Sequence, residues 1–183
     1  MDGDESKQIE HLREQSKTFG AQIRSANCSK VEAMYTCVSS FLKTIEYPLA
    51  CTSIAEKTWD RIVAPALGNT LQKAGIVQSA PRVALYAPRL HQGWGWMHPF
   101  ENQGLSHLET LLQESMSSSQ TGASLQQTAE ALRVEVGVPF ELGITPTTPY
   151  ASYVTPSWCV HTWKCAESRD LHVQEDFPDM PLL

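Results

Sequence analysis

The chain has 183 residues, of which 42% are hydrophobic, and this suits one globular domain or one domain with tails. It has no apolar run of about 18 residues, which excludes a membrane-spanning helix, and its polar, acidic first ten residues do not resemble a secretory signal. The five cysteines, none in C-x-x-C spacing, are therefore expected to be reduced thiols in an intracellular protein, cytoplasmic or nuclear.

Charge is divided unevenly along the chain. Residues 6–90 hold 11 Lys/Arg and 6 Asp/Glu, whereas residues 91–183 hold 3 Lys/Arg and 11 Asp/Glu. The first half is suited to contact with a polyanion, and the second half would repel one. The alternative interpretation is that these are two solvated faces of opposite sign.

The first two predicted elements are amphipathic helices. Apolar residues recur at helical intervals over 7–24. Ser29 and Glu32 then form the capping-box pattern that satisfies free amide groups at the start of a helix. That helix should end at Tyr47-Pro48, because the residue before a proline disfavours the helical region.

A third helix is predicted from a second capping-box pattern, at Ser53 and Glu56. Pro65 lies inside its apolar stripe and predicts a kink or a break, because proline removes one helix hydrogen bond and crowds the preceding turn. Gly75 is a natural stop.

The segment 81–100 differs from the helical segments around it. Val83–Tyr86 is predicted to be a short strand between two prolines. A structured loop follows, and with Phe100 it is expected to clamp onto the core; the alternative is that its aromatic rings stack on bases or on a partner. The residues of this predicted structural loop are Gly93, Trp94, Gly95 and Trp96.

The second half also predicts helices. Helical patterns cover 102–116 and 123–136, and Gly137 should cap the second of them. Residues 143–155 are rich in Thr and Pro and predict irregular structure. A last helix is expected to begin at Thr155-Pro156, with threonine as N-cap and proline at the first helical position.

These patterns together predict a mainly α protein, a helical bundle with a short strand and loop insertion around residues 81–100. Its predicted segments are an acidic tail, a first helical region, a Pro/Gly/Trp connector, a helical extension and a second acidic tail. Their ranges are 1–6, 7–76, 77–100, 101–169 and 170–183.

The residues that catalysis needs do not form a recognisable set. Two-metal chemistry requires gathered carboxylates, but five of the six aspartates lie in the predicted tails. Cys159, His161 and Cys165 are residue types that bind zinc, but no fourth ligand lies at the usual spacing. A packed helix with small buried thiols is therefore favoured over a zinc site. The histidines near the tryptophan loop are interpreted as polar loop residues; they are His91, His98 and His107. We therefore predict no catalytic residue, metal or cofactor.

A series of short motifs occurs in a specific order along most of the chain. It runs VEAMY (31–35), IEYPL (45–49), IVAPAL (62–67), LQKAGI (71–76), PRVALYAP (81–88) and QGWGW (92–96). QGL (103–105), HLETLLQ (107–113) and VEVGV (134–138) follow. This series resembles the region downstream of the polymerase palm in reverse transcriptases of non-LTR retroelements. One departure is that Gln92 stands where the family has the first glycine of a glycine turn.

The resemblance implies a thumb-like, helical region that contacts a template–primer duplex, followed by an extension. In that family the polymerase aspartates lie upstream, so the resemblance implies a non-catalytic fragment of an RNA-directed DNA polymerase. The partner it implies is an RNA or DNA duplex, bound weakly through the basic first half. The candidate contacts are Lys30, Lys43, Lys57, Lys73, Arg82 and Arg89, with the four lysines expected on one face.

The alternative hypothesis is a helical protein-interaction module that uses the tryptophan loop or the acidic second half. A small zinc or cysteine enzyme is a third hypothesis.

Overall fold

The protein is described by a computed structural model, which covers residues 5–115, 117–137, 145–150, 152–155 and 157–171. The predicted mainly α fold is confirmed, and no strand occurs among these residues. They divide into two compact units, one up to His107 and one from Leu108. Most of the predicted acidic tails (1–4 and 172–183) lies outside the described residues. No helix in the described ranges is long and apolar enough to cross a membrane.

Unit 1 is built on three helical segments. Helix α1 (Ser6–Ser25) is followed by one continuous segment made of α2 (Lys30–Thr36), a π-helical turn (Cys37–Leu42) and α3 (Lys43–Glu46). A 3₁₀ turn (Leu49–Cys51) then leads to α4 (Glu56–Lys73). The apolar stripes of these helices form one core; its largest fully buried members include Trp59, Leu12, Ile45, Ile62 and Leu67.

Helices α1 and α4 run parallel, as two polar contacts at their ends demonstrate. At one end the backbone N–H of Ser53 donates to Oε1 of Glu5 (2.6 Å). At the other end Nζ of Lys73 donates to the carbonyl of Ala26 (2.7 Å). Both helix C-termini therefore lie at the same end of unit 1.

The two helices approach closely where small residues face α4. Ser16 and Gly20 are buried, and the Ala66 N–H donates to Oγ of Ser16 (3.2 Å). A Cβ on Gly20 would lie 2.8 Å from the carbonyl oxygen of Pro65. Helix α4 continues through Pro65, so a break does not occur there; the neighbouring helix supplies an acceptor at this point.

The helix starts in unit 1 were predicted with mixed success. The first capping box is confirmed: the Ser29 N–H donates to Oε2 of Glu32 (2.7 Å) and the Glu32 N–H donates to Oγ of Ser29 (3.3 Å). The second is wrong, since α4 begins at Glu56 after Ala55, without a side-chain cap. The N–H of Ser53 is instead satisfied by the carboxylate of Glu5, which precedes α1.

The first half of helix α6 (Pro99–Ser115) is fixed by two buried histidines and a glutamine. His98 precedes the helix; its Nδ1 accepts from the Phe100 N–H (3.2 Å), and its Nε2 lies 3.2 Å from Oδ1 of Asp60. Oε1 of Gln103 accepts from Nε1 of Trp59 (2.9 Å). Nε2 of His107 lies 2.7 Å from the carbonyl of Thr52. The prediction of polar loop histidines is therefore wrong for His98 and His107, because backbone groups near the core need these partners.

Unit 2 contains the rest of α6, helix α7 (Gln120–Val136) and helix α8 (Trp158–Ser168). Gly137 ends α7 in the left-handed region (φ 73°), as predicted. The predicted N-cap at Thr155 is wrong, because Ser157 caps α8 by accepting from the Val160 N–H (3.3 Å); Pro156 lies outside the described residues.

Candidate nucleic-acid interface

The four lysines expected on one face do not share one. Lys57 stands in the first turn of α4 and Lys73 in its last, sixteen positions apart, which is about 24 Å along the helix. Lys43 lies on α3 and forms an ion pair with Glu46 (2.7 Å). The expectation of a single lysine face fails because the spacing of these lysines spreads them along the helices.

Two of the candidates lie near the same end of unit 1. Nζ of Lys73 reaches the carbonyl of Ala26, just beyond the C-terminus of α1. Nζ of Lys30, at the start of α2, lies 3.1 Å from where a Cβ would stand on Gly75, just beyond the C-terminus of α4. Both ammonium groups therefore lie where α1 and α4 end and α2 begins. We call this part of unit 1 the basic end.

Sequence reasoning missed a third cation at the basic end. Arg24 lies in the last turn of α1 and lines a shallow cavity of about 480 Å³. Lys17 and Asn69 line the same cavity. Asn69 is one turn before Lys73, so the cavity opens beside the same last turns of α4.

Carboxylates are sparse in the segments that build the basic end; the exception is Glu32 in the first turn of α2, which is used in the capping box with Ser29. No Asp or Glu occurs in residues 15–31 or 61–100. The nearest acid along α1 is Glu14, and its carboxylate pairs with Lys17 (2.6 Å). The sequence itself shows this gap in acidic residues. Together with the predicted helix lengths, it could have indicated Arg24 as a candidate contact.

The other two candidates are arginines in different surroundings. Arg82 is half-buried near Tyr86; burial raises the pKa of Tyr86 to about 12, an effect that the Arg82 charge opposes. Arg89 is exposed in a 3₁₀ turn (Arg89–His91) that precedes the tryptophan loop. Arg89 is therefore the accessible one of this pair.

The tryptophan loop is a compact structure. The predicted strand before it is wrong, since Val83–Tyr86 is a single helical turn, α5, which Pro81 and Pro88 confine to four residues. Trp96 is buried in the unit 1 core, as the clamp hypothesis expects, but Trp94 is 44% exposed. The loop is therefore held on the core by the indole of Trp96, and the indole of Trp94 is accessible to solvent.

The described residues offer no metal centre, because no three His, Cys, Asp or Glu side chains among them are gathered as ligands. Cys159 and Cys165 are buried on α8, and burial raises the pKa of the Cys159 thiol. In unit 1 burial raises the pKa of Cys37 to about 11. Metal ligation and nucleophilic attack need the thiolate, and a raised pKa keeps the thiol protonated. Cys37 and Cys159 are therefore suited to packing in the core.

Comparison of this chain with protein-family models, with curated proteins and with solved structures finds no match.

Proposed function

We propose that unit 1 contacts nucleic-acid phosphates through the basic end, with Arg24, Lys30 and Lys73 as the contacting side chains. The observation that supports the proposal is the placement of these three cations around the ends of α1 and α4, where the acid of the adjoining α2 start is Glu32 in its capping box. In this proposal the chain is a non-catalytic, thumb-like part of a retroelement reverse transcriptase, because its motifs follow the order that resembles that family.

The same cations also stabilise the fold, and the two roles are compatible. Arg24 and Lys73 stand in the last turns of parallel helices, where positive charge complements the helix dipoles. Nζ of Lys73 uses one of its three donors on Ala26, which leaves two for an oxygen of a phosphate. A phosphate arriving at the basic end would meet cations that the fold already holds in place.

Three phosphate contacts predict weak, salt-dependent binding. Each contact contributes a slope of roughly −0.9 to the logarithm of the binding constant against the logarithm of salt concentration, so the total slope should be about −3. Fluorescence anisotropy with a labelled RNA–DNA primer–template duplex, measured from low to physiological salt, tests this value.

The decisive comparison uses two triple variants of equal charge. Replacing Arg24, Lys30 and Lys73 by glutamine should reduce the slope to near zero. Replacing Lys7, Arg13 and Lys57 by glutamine removes the same charge elsewhere and should leave most of the slope. The proposal fails if wild type does not bind at low salt, or if the two triple variants lose binding equally.

A second candidate function, a protein-interaction module, is supported by a groove beside α1. The groove has a volume of about 940 Å³ and is lined by α1 and by residues 43–52. Leu12 contributes apolar surface to it, and Tyr47 at its edge is 93% exposed. Photocrosslinking in cells tests this candidate. A crosslinker at position 47 should trap a protein partner, whereas a crosslinker at the exposed position of Lys7 is the control and should trap none.

A further inference from the structure

The backbone of the tryptophan loop is held by hydrogen bonds to the segment before it. The Trp94 N–H donates to the Ala84 carbonyl (3.1 Å) and the Trp96 N–H to the Leu85 carbonyl (3.0 Å). The Gly95 N–H donates to the Ala87 carbonyl (2.9 Å). A Cβ on Gly93 would overlap that same carbonyl, so only glycine permits this approach. The loop is therefore fixed before any ligand arrives.

The two indoles of the loop have different environments. Trp96 is 8% exposed and belongs to the unit 1 core, whereas Trp94 is 44% exposed. Their ring centroids lie 6.4 Å apart with planes at 71°, an edge-to-face contact. The buried ring thus positions the exposed one, and Trp94 loses little conformational freedom when a flat ligand covers it.

Two basic side chains lie beside the tryptophan loop in the chain. Arg89 packs against the loop, with its Cγ 3.1 Å from where a Cβ would stand on Gly95, and His91 is exposed in the same turn. On the other side of Gly95, a cavity of about 300 Å³ is lined by Lys43 and Glu46, which neutralise each other as an ion pair. The acids of this region are Asp60 on α4, which lies beside His98, and Glu101 in the first turn of α6; both charges act on Tyr86.

We propose that Trp94 is a stacking platform for an unpaired nucleic-acid base, with Arg89 placed to contact the adjoining phosphate. A rigid indole beside an exposed guanidinium has the two components that single-strand binding combines, an aromatic surface for the base and a cation for the backbone. The inference rests on the proposed function and extends it, because phosphate contact at the basic end does not distinguish single strands from duplexes. Stacking on Trp94 would make that distinction, since paired bases do not offer a free face.

The test compares the full chain with its Trp94→Leu variant on three probes: oligothymidylate, a DNA duplex of equal length, and heparin, which is a polyanion without bases. Stacking is worth about a tenfold change in affinity per base or more. We therefore expect Trp94→Leu to bind oligothymidylate about tenfold more weakly and to bind the duplex and heparin like wild type. Tyr47→Leu, which removes another exposed aromatic ring of unit 1, is the matched control and should bind all probes like wild type.

Two further measurements separate stacking from a structural role. Oligothymidylate should quench part of the tryptophan fluorescence of wild type, and Trp94→Leu should lose that part. Trp94→Phe keeps an aromatic face and should retain most of the single-strand affinity. An unchanged melting temperature in Trp94→Leu would show that the bundle itself is intact.

The possible failures point to different conclusions. If Trp94→Leu binds oligothymidylate like wild type, or weakens all three probes equally, the stacking role is wrong. If wild type binds none of the probes, the proposed function has failed, and the stacking role with it. If glutamine at Arg24, Lys30 and Lys73 weakens every probe while Trp94→Leu changes none, the proposed function stands and only this inference falls.

Discussion

The two units of the chain are held together in different ways. In unit 1, long amphipathic helices bury large side chains around Trp59. In unit 2, a smaller apolar cluster around Trp163 is accompanied by polar bonds across the chain. The Thr147 N–H donates to Oε1 of Glu167 (3.0 Å), and the Thr155 N–H donates to Oε2 of Glu135 (2.9 Å).

The reason for the difference lies in helix length and in the segment between helices. Helix α8 has 11 residues, whereas α1 and α4 have 20 and 18. A short helix packed against an irregular segment buries less apolar area, so backbone groups of that segment need side-chain partners. The comparison teaches that distant side chains hold irregular backbone in both units, and that unit 1 adds a larger apolar core to these bonds.

The largest effect is expected from removing the central tryptophan of each unit. Trp59 and Trp163 are both fully buried, and truncation of such a residue to alanine costs about 3–5 kcal/mol. We expect Trp163→Ala to abolish amide protection in unit 2 while the core helices of unit 1 stay protected, and Trp59→Ala to have the converse effect. Hydrogen exchange read residue by residue measures this, and uniform loss of protection in both variants would contradict two separate cores.

The next effect is a loss of stability at alkaline pH, which should arise mainly in unit 1. Burial raises the pKa of Cys37 from its ordinary 9.0 to about 11, so the folded state holds this proton more tightly than the unfolded state does. The free energy of unfolding is therefore highest below pH 9 and falls as pH rises towards 11, by roughly 2–3 kcal/mol. Urea unfolding across that pH range measures the loss.

Two alanine variants assign the alkaline loss to its thiol. Cys37→Ala should remove most of the pH dependence between 9 and 10, although the variant starts from a lower stability; Tyr86, whose pKa burial raises to about 12, should keep a loss above pH 10 in both proteins. Cys159→Ala removes a buried thiol of unit 2 and should leave the slope of unit 1 unchanged. Equal slopes in wild type and Cys37→Ala would show that another group causes the loss.

A smaller effect tests the close helix approach in unit 1. Gly20→Ala places a methyl group 2.8 Å from the Pro65 carbonyl oxygen, so α1 and α4 must separate, at a cost of about 1–3 kcal/mol. Gly68→Ala is the matched control: its Cβ meets nothing closer than Gln78 at 3.7 Å. It should gain up to about 1 kcal/mol from helix propensity. Thermal unfolding measures both changes, and a gain in Gly20→Ala would disprove the tight crossing.

The smallest effect concerns the two non-glycine residues with positive φ, one described in each unit. They are Gln92 (φ 61°) in unit 1 and Asp170 (φ 53°) in unit 2. Gln92→Gly should stabilise unit 1 by about 1 kcal/mol, because the left-handed region strains residues with a Cβ. Asp170→Gly should gain less, since aspartate tolerates this conformation better than glutamine. Differential scanning calorimetry of the two variants compares the gains, and a loss in Gln92→Gly would contradict the strain.

Much of the helical architecture followed from local signals. Capping chemistry predicted the start of α2, and Tyr47-Pro48 predicted the end of α3 at Glu46. Gly137 predicted the end of α7. Each of these signals acts within a few residues of its helix end, so the sequence alone was sufficient.

Predictions failed where a distant residue satisfied the local need. The N–H of Ser53 bonds to Glu5 instead of to a local cap, and Thr155 bonds to Glu135 instead of opening α8. His107 appeared to be a loop residue, yet it is buried against the carbonyl of Thr52. These partners are 20 to 55 residues away in sequence, and nothing in a local pattern specifies which one will be near.

The candidate nucleic-acid interface divides in the same way. The sequence by itself determined the number of cations, the absence of acids from 15–31 and 61–100, and the composition of the tryptophan loop. Tertiary structure decided that Lys30, Lys73 and Arg24 lie around the same helix ends while Lys43 and Lys57 do not, and that Trp94 is exposed while Trp96 is buried. The physical reason is that charge and apolar character belong to residues, whereas which side chains become neighbours depends on how α1, α2 and α4 pack around the core of unit 1.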